Sequence, residues 1–370
     1  MNVYYLTTHV YDEDFASAKV AFPPNPAGQN FHGKLIRALA TQYNVHVLSL
    51  VPTSLHLPEK DFTVEGIHYH YINPPISKIK KAFFFPQKLL KILKESVHDG
   101  DVLFYDPLNR TCSLCALKAK YKAYMKIVAI LTDDIKNITG AQGAVATIYR
   151  LTRSANASYA LTKNLVETYW LNARPHLVRP MLVEQKIIEP YEHDRPYVYY
   201  GGALFVKDGT KDLIDAYRSL SMPNFDLIIA GHGDYKDPAE RDCALTPGMR
   251  FVGQVSKQEH YAYIAGSSLA INPRRYNKDL DEHAVPSKVM EYLTYASYIA
   301  STLSTPIKEE YGEDINWLEG DLKDFFVQHM DVNGNLVGLV RNNAKNAIIS
   351  KYGISETGRV LREFIDSLGD

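Results

Sequence analysis

The sequence predicts an α/β protein made of two doubly wound domains, each with a mostly parallel sheet. Three observations carry this. Short runs rich in β-branched and aromatic residues alternate with amphipathic stretches along the whole 370-residue chain, the signature of βαβ units. The alternation restarts after KIIEPYEHDRP at 186–196, an aperiodic stretch with two prolines that reads as an interdomain linker. The length exceeds one ordinary core and suits about two domains.

In the first half the predicted strands are VYYLTT (3–8), VHVLSLV (45–51), IHYHYI (67–72), DVLFYD (101–106), KIVAILT (126–132) and SYALT (158–162). Helical patterns such as GQNFHGKLIRALATQY lie between most of them. In the second half the strands are YVYYGG, FDLIIAG, MRFVGQV, LAINP, YIAST and DINWLEG. The expected division is a first domain at 1–185, the linker, a second domain at 197–354, and a segment 355–370 carrying a helix able to pack back on the first domain. Two such domains are expected to face each other across a cleft. Ligands of these sheets bind where loops leave the strands and helix N-termini point their dipoles.

Composition bounds the function. A hydrophobic fraction of 46% and a charged fraction of 22% are those of a globular protein. No apolar run approaches the ~20 residues that span a bilayer, and the opening MNVYYLTTHVYDED has no signal-like segment. A cytoplasmic location is expected. The three cysteines are too few and too odd in number for a disulfide framework. Cys112 and Cys115 lack two further ligands at zinc spacing, so i, i+3 helix packing is the better reading. Residues 1–190 carry a formal charge of +7 and the remainder −8, so the first half is expected to meet something anionic.

In the second half, YYGGALFVKDG places Gly201, Gly202 and Lys207 at a strand exit. Glycine lets a bulky anion approach the backbone, and lysine supplies a point charge; a turn with a surface lysine fits equally. Gly231, His232 and Gly233 follow the next strand, and Gly253 follows the one after. Ser256 with Glu259 fits a capping box. Arg274 and Arg275 leave LAINP, and HAVPSKVMEY follows. If Ser287 caps that helix, Glu291 sits one position too late for a capping box. Its carboxylate is suited to vicinal ribose hydroxyls, with Lys288 and the helix N–H groups facing phosphate. The alternative is an exposed Lys/Glu pair worth ~0.2–0.5 kcal/mol.

Taken in order, YxGG…KDG, LIIAGHG, FVGQVS and INPRR followed by VPSKVMEYLTYASYIAST resemble the nucleotide-sugar-binding domain of retaining GT-B glycosyltransferases. The likeness is to the large family four group, in the variant similar to bacterial capsule and exopolysaccharide enzymes. The resemblance implies that Glu291 binds the ribose diol, that Lys207, Lys288 and Arg274 hold the diphosphate, and that the Gly253 loop borders the base. Three departures stand out. Ala203 follows Gly202 where many relatives have arginine. His283 takes the place of the first glutamate of a Glu-x7-Glu pair, which leaves Asp281 or Glu282 as substitutes. Ala296 precedes Ser297 where relatives have glycine.

In the first half, Gly28 lies at a helix mouth beside Gln29 and Asn30. This resembles the glycine loop next to donor diphosphate and acceptor in those enzymes. Asp133 ends KIVAILT near where many relatives place a histidine; with Lys207 it is a candidate catalytic residue, although adjacent Asp133 and Asp134 also fit simple caps. Tyr105 and Asp106 end another strand at the same edge. KIKKAFFFPQKLLKILK (78–94) has six lysines and no acid and suits an anionic membrane face; a helix with inward leucines explains it too.

The expectation is therefore a retaining glycosyltransferase, cytoplasmic or peripheral on the inner membrane face. It takes a nucleotide diphosphate-sugar, foremost a UDP-sugar, to a saccharide or lipid-linked acceptor, without a cofactor or required metal and without nucleic acid. The donor site comprises Gly28, Gln29, Gly202, Lys207, Gly231, Gly253, Arg274, Ser287, Lys288 and Glu291. A non-catalytic binding subunit of the same fold and a nucleotide-sugar epimerase are the alternatives. A nicotinamide dehydrogenase lacks its G-x-G-x-x-G after the first strand.

Overall fold

The computed structural model describes residues 1–369 apart from 19, 21–23, 76, 78–84, 139–141 and 278–285. The chain divides into two compact units, Met1–Glu184 with Lys351–Asp370, and Gln185–Ser350.

The first unit contains β1 (Asn2–Thr7), β2 (Asn44–Leu50), β3 (Lys60–Val64), β4 (Ile67–Ile72), β5 (Val102–Tyr105), β6 (Lys126–Leu131), β7 (Ala157–Ala160) and β8 (His176–Val178). They form one sheet in the order β3-β4-β2-β1-β5-β6-β7-β8. Every pair is parallel except β3 with β4. Successive residues of β1 enter opposite cores. Tyr4 and Leu6 face Leu103, Tyr105 and the helices Phe85–Ser96 and Arg110–Lys122. Val3 and Tyr5 face Val47, Phe104 and the helix Pro26–Ala40. A parallel sheet covered on both faces explains why these strands read as nearly unbroken apolar runs.

Strands β3 and β8 were not anticipated. β3 is an edge strand that pairs through a tight turn at Glu65–Gly66, both at positive φ; Glu-Gly is a weaker hairpin signal than Asn-Gly. β8 has only three residues.

The helix Phe85–Ser96 buries Phe85, Leu89, Leu90 and Leu93. Lys88, Lys91 and Lys94 are exposed, and Lys88 pairs with Glu59 at 2.8 Å. The leading part of the basic stretch, 78–84, lies outside the described residues. Cys112 and Cys115 are both buried in the core beside this helix, as i, i+3 packing requires, and burial pushes the Cys115 thiol up to about 12. No helix among the described residues is long and apolar enough to cross a membrane.

The second unit contains β9 (Tyr197–Ala203), β10 (Asp226–His232), β11 (Met249–Phe251), β12 (Leu269–Asn272), β13 (Ile299–Ser301) and β14 (Asn316–Trp317). Its all-parallel order is β11-β10-β9-β12-β13-β14. The winding reverses between β9 and β12, the switch point at which such sheets open a ligand crevice.

The stretch 186–196 belongs to this unit and is fastened to it. Tyr191 N donates to Ala262 O at 2.9 Å. His193 Nε2 and Arg195 Nη1 reach the two Asp226 oxygens at 2.8 and 2.7 Å. The chain rejoins the first unit at Lys351 rather than after 354. The helix Ile354–Asp366 then inserts Leu361, Phe364 and Ile365 into the core that holds Val3 and Tyr5. A Cβ on Gly358 would lie 2.5 Å from Ala38 O, so glycine permits close approach to the helix Pro26–Ala40.

Leu361 is fully buried, and Leu361→Ala is expected to destabilise the protein by ~2–5 kcal/mol, read as a lower urea midpoint. An unchanged midpoint would show that the terminal helix contributes nothing to the first unit's stability.

Candidate functional site

In the second unit the sheet edge is shaped by glycines at the ends of β9 and β10. Gly202 has φ 147° and Gly231 φ 141°. A Cβ on Gly231 would sit 1.8 Å from Gly202 O, so the two strand ends touch backbone to backbone. Gly231 N donates to Gly253 O at 2.8 Å, and a Cβ on Gly253 would meet open space. Over this floor runs Lys288, whose Cε lies 2.2 Å from where a Gly202 Cβ would be. Its Nζ donates to Tyr200 Oη at 2.9 Å and stands 4.5 Å from that ring's centroid. The structure thus brings Gly202, Gly231, Gly253 and Lys288 together.

Lys288 and Glu291 are one helical turn apart on Ser287–Tyr295. Glu291 Oε2 lies 3.2 Å from His260 Nε2, and Tyr261 Oη donates to Oε1 at 3.4 Å. His260 was not singled out in the sequence. It belongs to the helix Lys257–Gly266, whose start is the expected Ser256–Glu259 capping box, and its partners come from β9 and the Ser287–Tyr295 helix. No periodicity or motif marks such a contact.

Ser287 is not a cap. Pro286 occupies the N-cap position with extended φ/ψ, no side chain caps the helix, and Ser287 is its first, exposed residue. Asp281, Glu282 and His283 lie outside the described residues.

Lys207 is exposed on the 3-10 turn Val206–Asp208, 5.6 Å from the Phe205 ring centroid. That turn ends at Gly209, φ 79°, where a Cβ would strike Pro273 O at 1.9 Å. Glycine therefore seats the Lys207 turn against the β12 exit that carries Arg274. Burial pulls the Arg274 guanidinium below its ordinary value, against the opposing charge of Asp208. Arg275 instead forms a two-pronged surface pair with Asp212 at 2.6 and 2.8 Å. A cavity of about 590 Å³ lies beside Arg274, Asp212, Thr302 and Leu318. It is lined by neither Gly202, Lys288 nor Glu291.

In the first unit, Asn25 adopts φ 46° and its side chain accepts from Gly28 N at 3.0 Å. A Cβ on Gly28 would lie 2.2 Å from Asn25 Nδ2, so this glycine serves the helix cap. Gln29, expected to face a ligand, is buried and turned to the chain's own backbone. Its Oε1 accepts from Val10 N at 3.2 Å and its Nε2 donates to Val10 O. The amide clamps the loop after β1. His9, on that loop, adds a contact from Nδ1 to Gln29 O at 3.0 Å.

Asp133 follows β6. Its Oδ1 accepts from Asp134 N at 2.7 Å and Asn137 Nδ2 at 2.9 Å, and burial raises its carboxyl. Asp134 caps the 3-10 turn Ile135–Asn137 and accepts from Tyr149. Asp106, after β5, is buried 3.8 Å from His32 Nε2. Burial lowers His32 to about 3 and raises Asp106 to about 6; a neutral imidazole offers no charge to hold the carboxylate down. Among the described residues, no group of three or more His, Cys, Asp or Glu side chains is placed to hold a metal ion.

Residues 195–330 match the family model described as Glycosyl transferases group 1, within the second unit. A search of curated proteins finds no match. Among solved structures, the chain is similar to Alr3699/HepE of Anabaena in complex with UDP-glucose, at 12% identity, TM-score 0.68 and coverage of 99% of this chain and 100% of that one. Sucrose-phosphate synthase of Thermosynechococcus elongatus matches at 11% identity and TM-score 0.64, covering 100% and 95%. A trehalose-6-phosphate synthase, described in terms of glycosyl transfer with retention, matches at 11% and 0.63, covering 98% and 99%. At these identities the likeness establishes the GT-B fold.

The raised Asp106 carboxyl gives a signed pH dependence. The folded state holds its proton more tightly than the unfolded chain. The stabilisation is therefore complete below about pH 4 and lost as pH rises through about 6. Asp106→Asn is expected to gain stability relative to wild type over that window, by up to about 3 kcal/mol. Urea unfolding from pH 4 to 8 measures it; a difference that does not change with pH refutes the assignment.

Proposed function

We propose that this GT-B chain is a glycosyltransferase that moves a sugar from a nucleotide diphosphate-sugar, foremost a UDP-sugar, to a saccharide or lipid-linked acceptor, with retention. The observation that carries the reading is Lys288 lying across Gly202 with Glu291 one turn further along the same helix. The bare glycine backbone and the ammonium suit a diphosphate. The carboxylate suits two vicinal ribose hydroxyls. Gly253, at the next strand exit, borders the base. The UDP-glucose of the HepE complex supports the donor class, and the retaining description of trehalose-6-phosphate synthase supports the stereochemistry.

As the glycosidic bond breaks, charge develops on the leaving diphosphate. Lys288, Lys207, Arg274 and the first N–H groups of Ser287–Tyr295 are the groups assigned to meet it, and the proposal includes no metal. Asp133 is assigned to the sugar side. The exposed Lys88, Lys91 and Lys94 are proposed to face an anionic membrane that presents a lipid-linked acceptor, in the service of surface polysaccharide synthesis.

Calorimetry with UDP and a donor-hydrolysis assay test this. Glu291→Ala is expected to weaken UDP at least about tenfold, and Lys288→Ala to weaken UDP more than uridine. A Glu291→Ala protein with unchanged UDP binding and turnover overturns the site. UDP bound without turnover on any acceptor favours a binding subunit instead.

A further inference from the structure

Glu291 is held by an arrangement wider than its own helix. His260 touches it with one ring nitrogen and Tyr199 with the other: Nε2 lies 3.2 Å from Glu291 Oε2, and Nδ1 lies 2.8 Å from Tyr199 Oη. A carboxylate only accepts, so Nε2 carries a proton. The neutral tautomer with its proton there, accepting at Nδ1 from the tyrosine hydroxyl, satisfies both contacts.

The far end of this chain is fixed as well. Tyr199 stacks on Tyr263, with ring centroids 5.3 Å apart and planes 12° apart, and Tyr263 lies one turn from His260 on the same helix. Gly201 makes room for it. A Cβ there would lie 2.5 Å from His260 Cε1 and 2.6 Å from Tyr199 Oη. The paired glycines at the end of β9 thus divide their work: Gly202 admits Lys288, and Gly201 admits His260.

We propose that His260, oriented by Tyr199, is a positioning residue that sets the direction of the Glu291 carboxylate toward a donor's ribose hydroxyls. This rests on the donor reading above. A carboxylate offers about four acceptor sites. His260 holds Oε2 and Tyr261 contacts Oε1, so both oxygens are engaged by the Lys257–Gly266 helix. Order at the carboxylate is then present before a ligand arrives, which lowers the entropy cost of binding.

Two amide replacements separate this role from packing. In His260→Gln the side-chain nitrogen reaches the place of Nε2 and can donate to Glu291. In His260→Asn it reaches only the place of Nδ1, beside Tyr199. Binding of UDP and of 2′,3′-dideoxy-UDP to each full-length protein is measured by calorimetry, with thermal unfolding as the folding control. Wild type and His260→Gln are expected to prefer UDP over the dideoxy compound by about tenfold or more. His260→Asn is expected to lose most of that preference through weaker UDP binding, with dideoxy-UDP nearly unchanged.

Equal preference in the Gln and Asn proteins, alongside its loss in Glu291→Ala, overturns the positioning role and leaves the donor reading intact. Absence of any preference in wild type, or of UDP binding itself, overturns the donor reading and this inference with it.

Discussion

The second unit depends on a close approach that only bare backbone allows. At the ends of β9 and β10, Gly202 O occupies the place where a side chain on residue 231 would begin, and Lys288 the place where one on residue 202 would begin. Neither contact adds much attraction. Each removes an obstacle, so a lysine from a distant helix can lie flat on the sheet edge. Gly209 repeats the device at the Pro273 carbonyl and joins the exit of β9 to that of β12 across the switch point. The cationic groups assigned to the donor are therefore placed by backbone geometry, and their positions follow from where glycine stands.

Much of this was legible in the sequence, and the pattern of what was not has physical reasons. Buried parallel strands declare themselves as apolar runs, so all six strands of the second unit were readable, as were β1, β2 and β4 to β7. Strands β3 and β8 contain no buried residue, and so leave no strong apolar signal. The helix that carries Lys288 begins one residue earlier than expected, because the extended backbone of Pro286 serves as its N-cap. Gln29 illustrates a different limit. A polar side chain at a helix mouth looks ligand-directed, yet this one satisfies the backbone of Val10. His260 is the converse. Its partners, Tyr199 and Glu291, lie 61 and 31 residues away in sequence, and only the fold makes them neighbours.

The two sheet edges also differ in chemistry. The second unit presents cations and one restrained carboxylate. The first presents carboxyls raised by burial, Asp106 and Asp133, and an imidazole kept neutral at His32. Each of these groups ends, or packs against the end of, a parallel strand.

The return of the chain at Lys351 bears on how the protein is made. Leu361, Phe364, Ile365 and Leu368 complete a core that otherwise consists of residues from the first half of the sequence. A ribosome working from the N-terminus makes those four residues after the whole of the second unit. Domains tend to fold as they emerge, but the core of the first unit is completed only by residues made after the whole of the second unit, which is continuous in sequence. The first unit is therefore discontinuous in the order of synthesis, and the second is inserted within it.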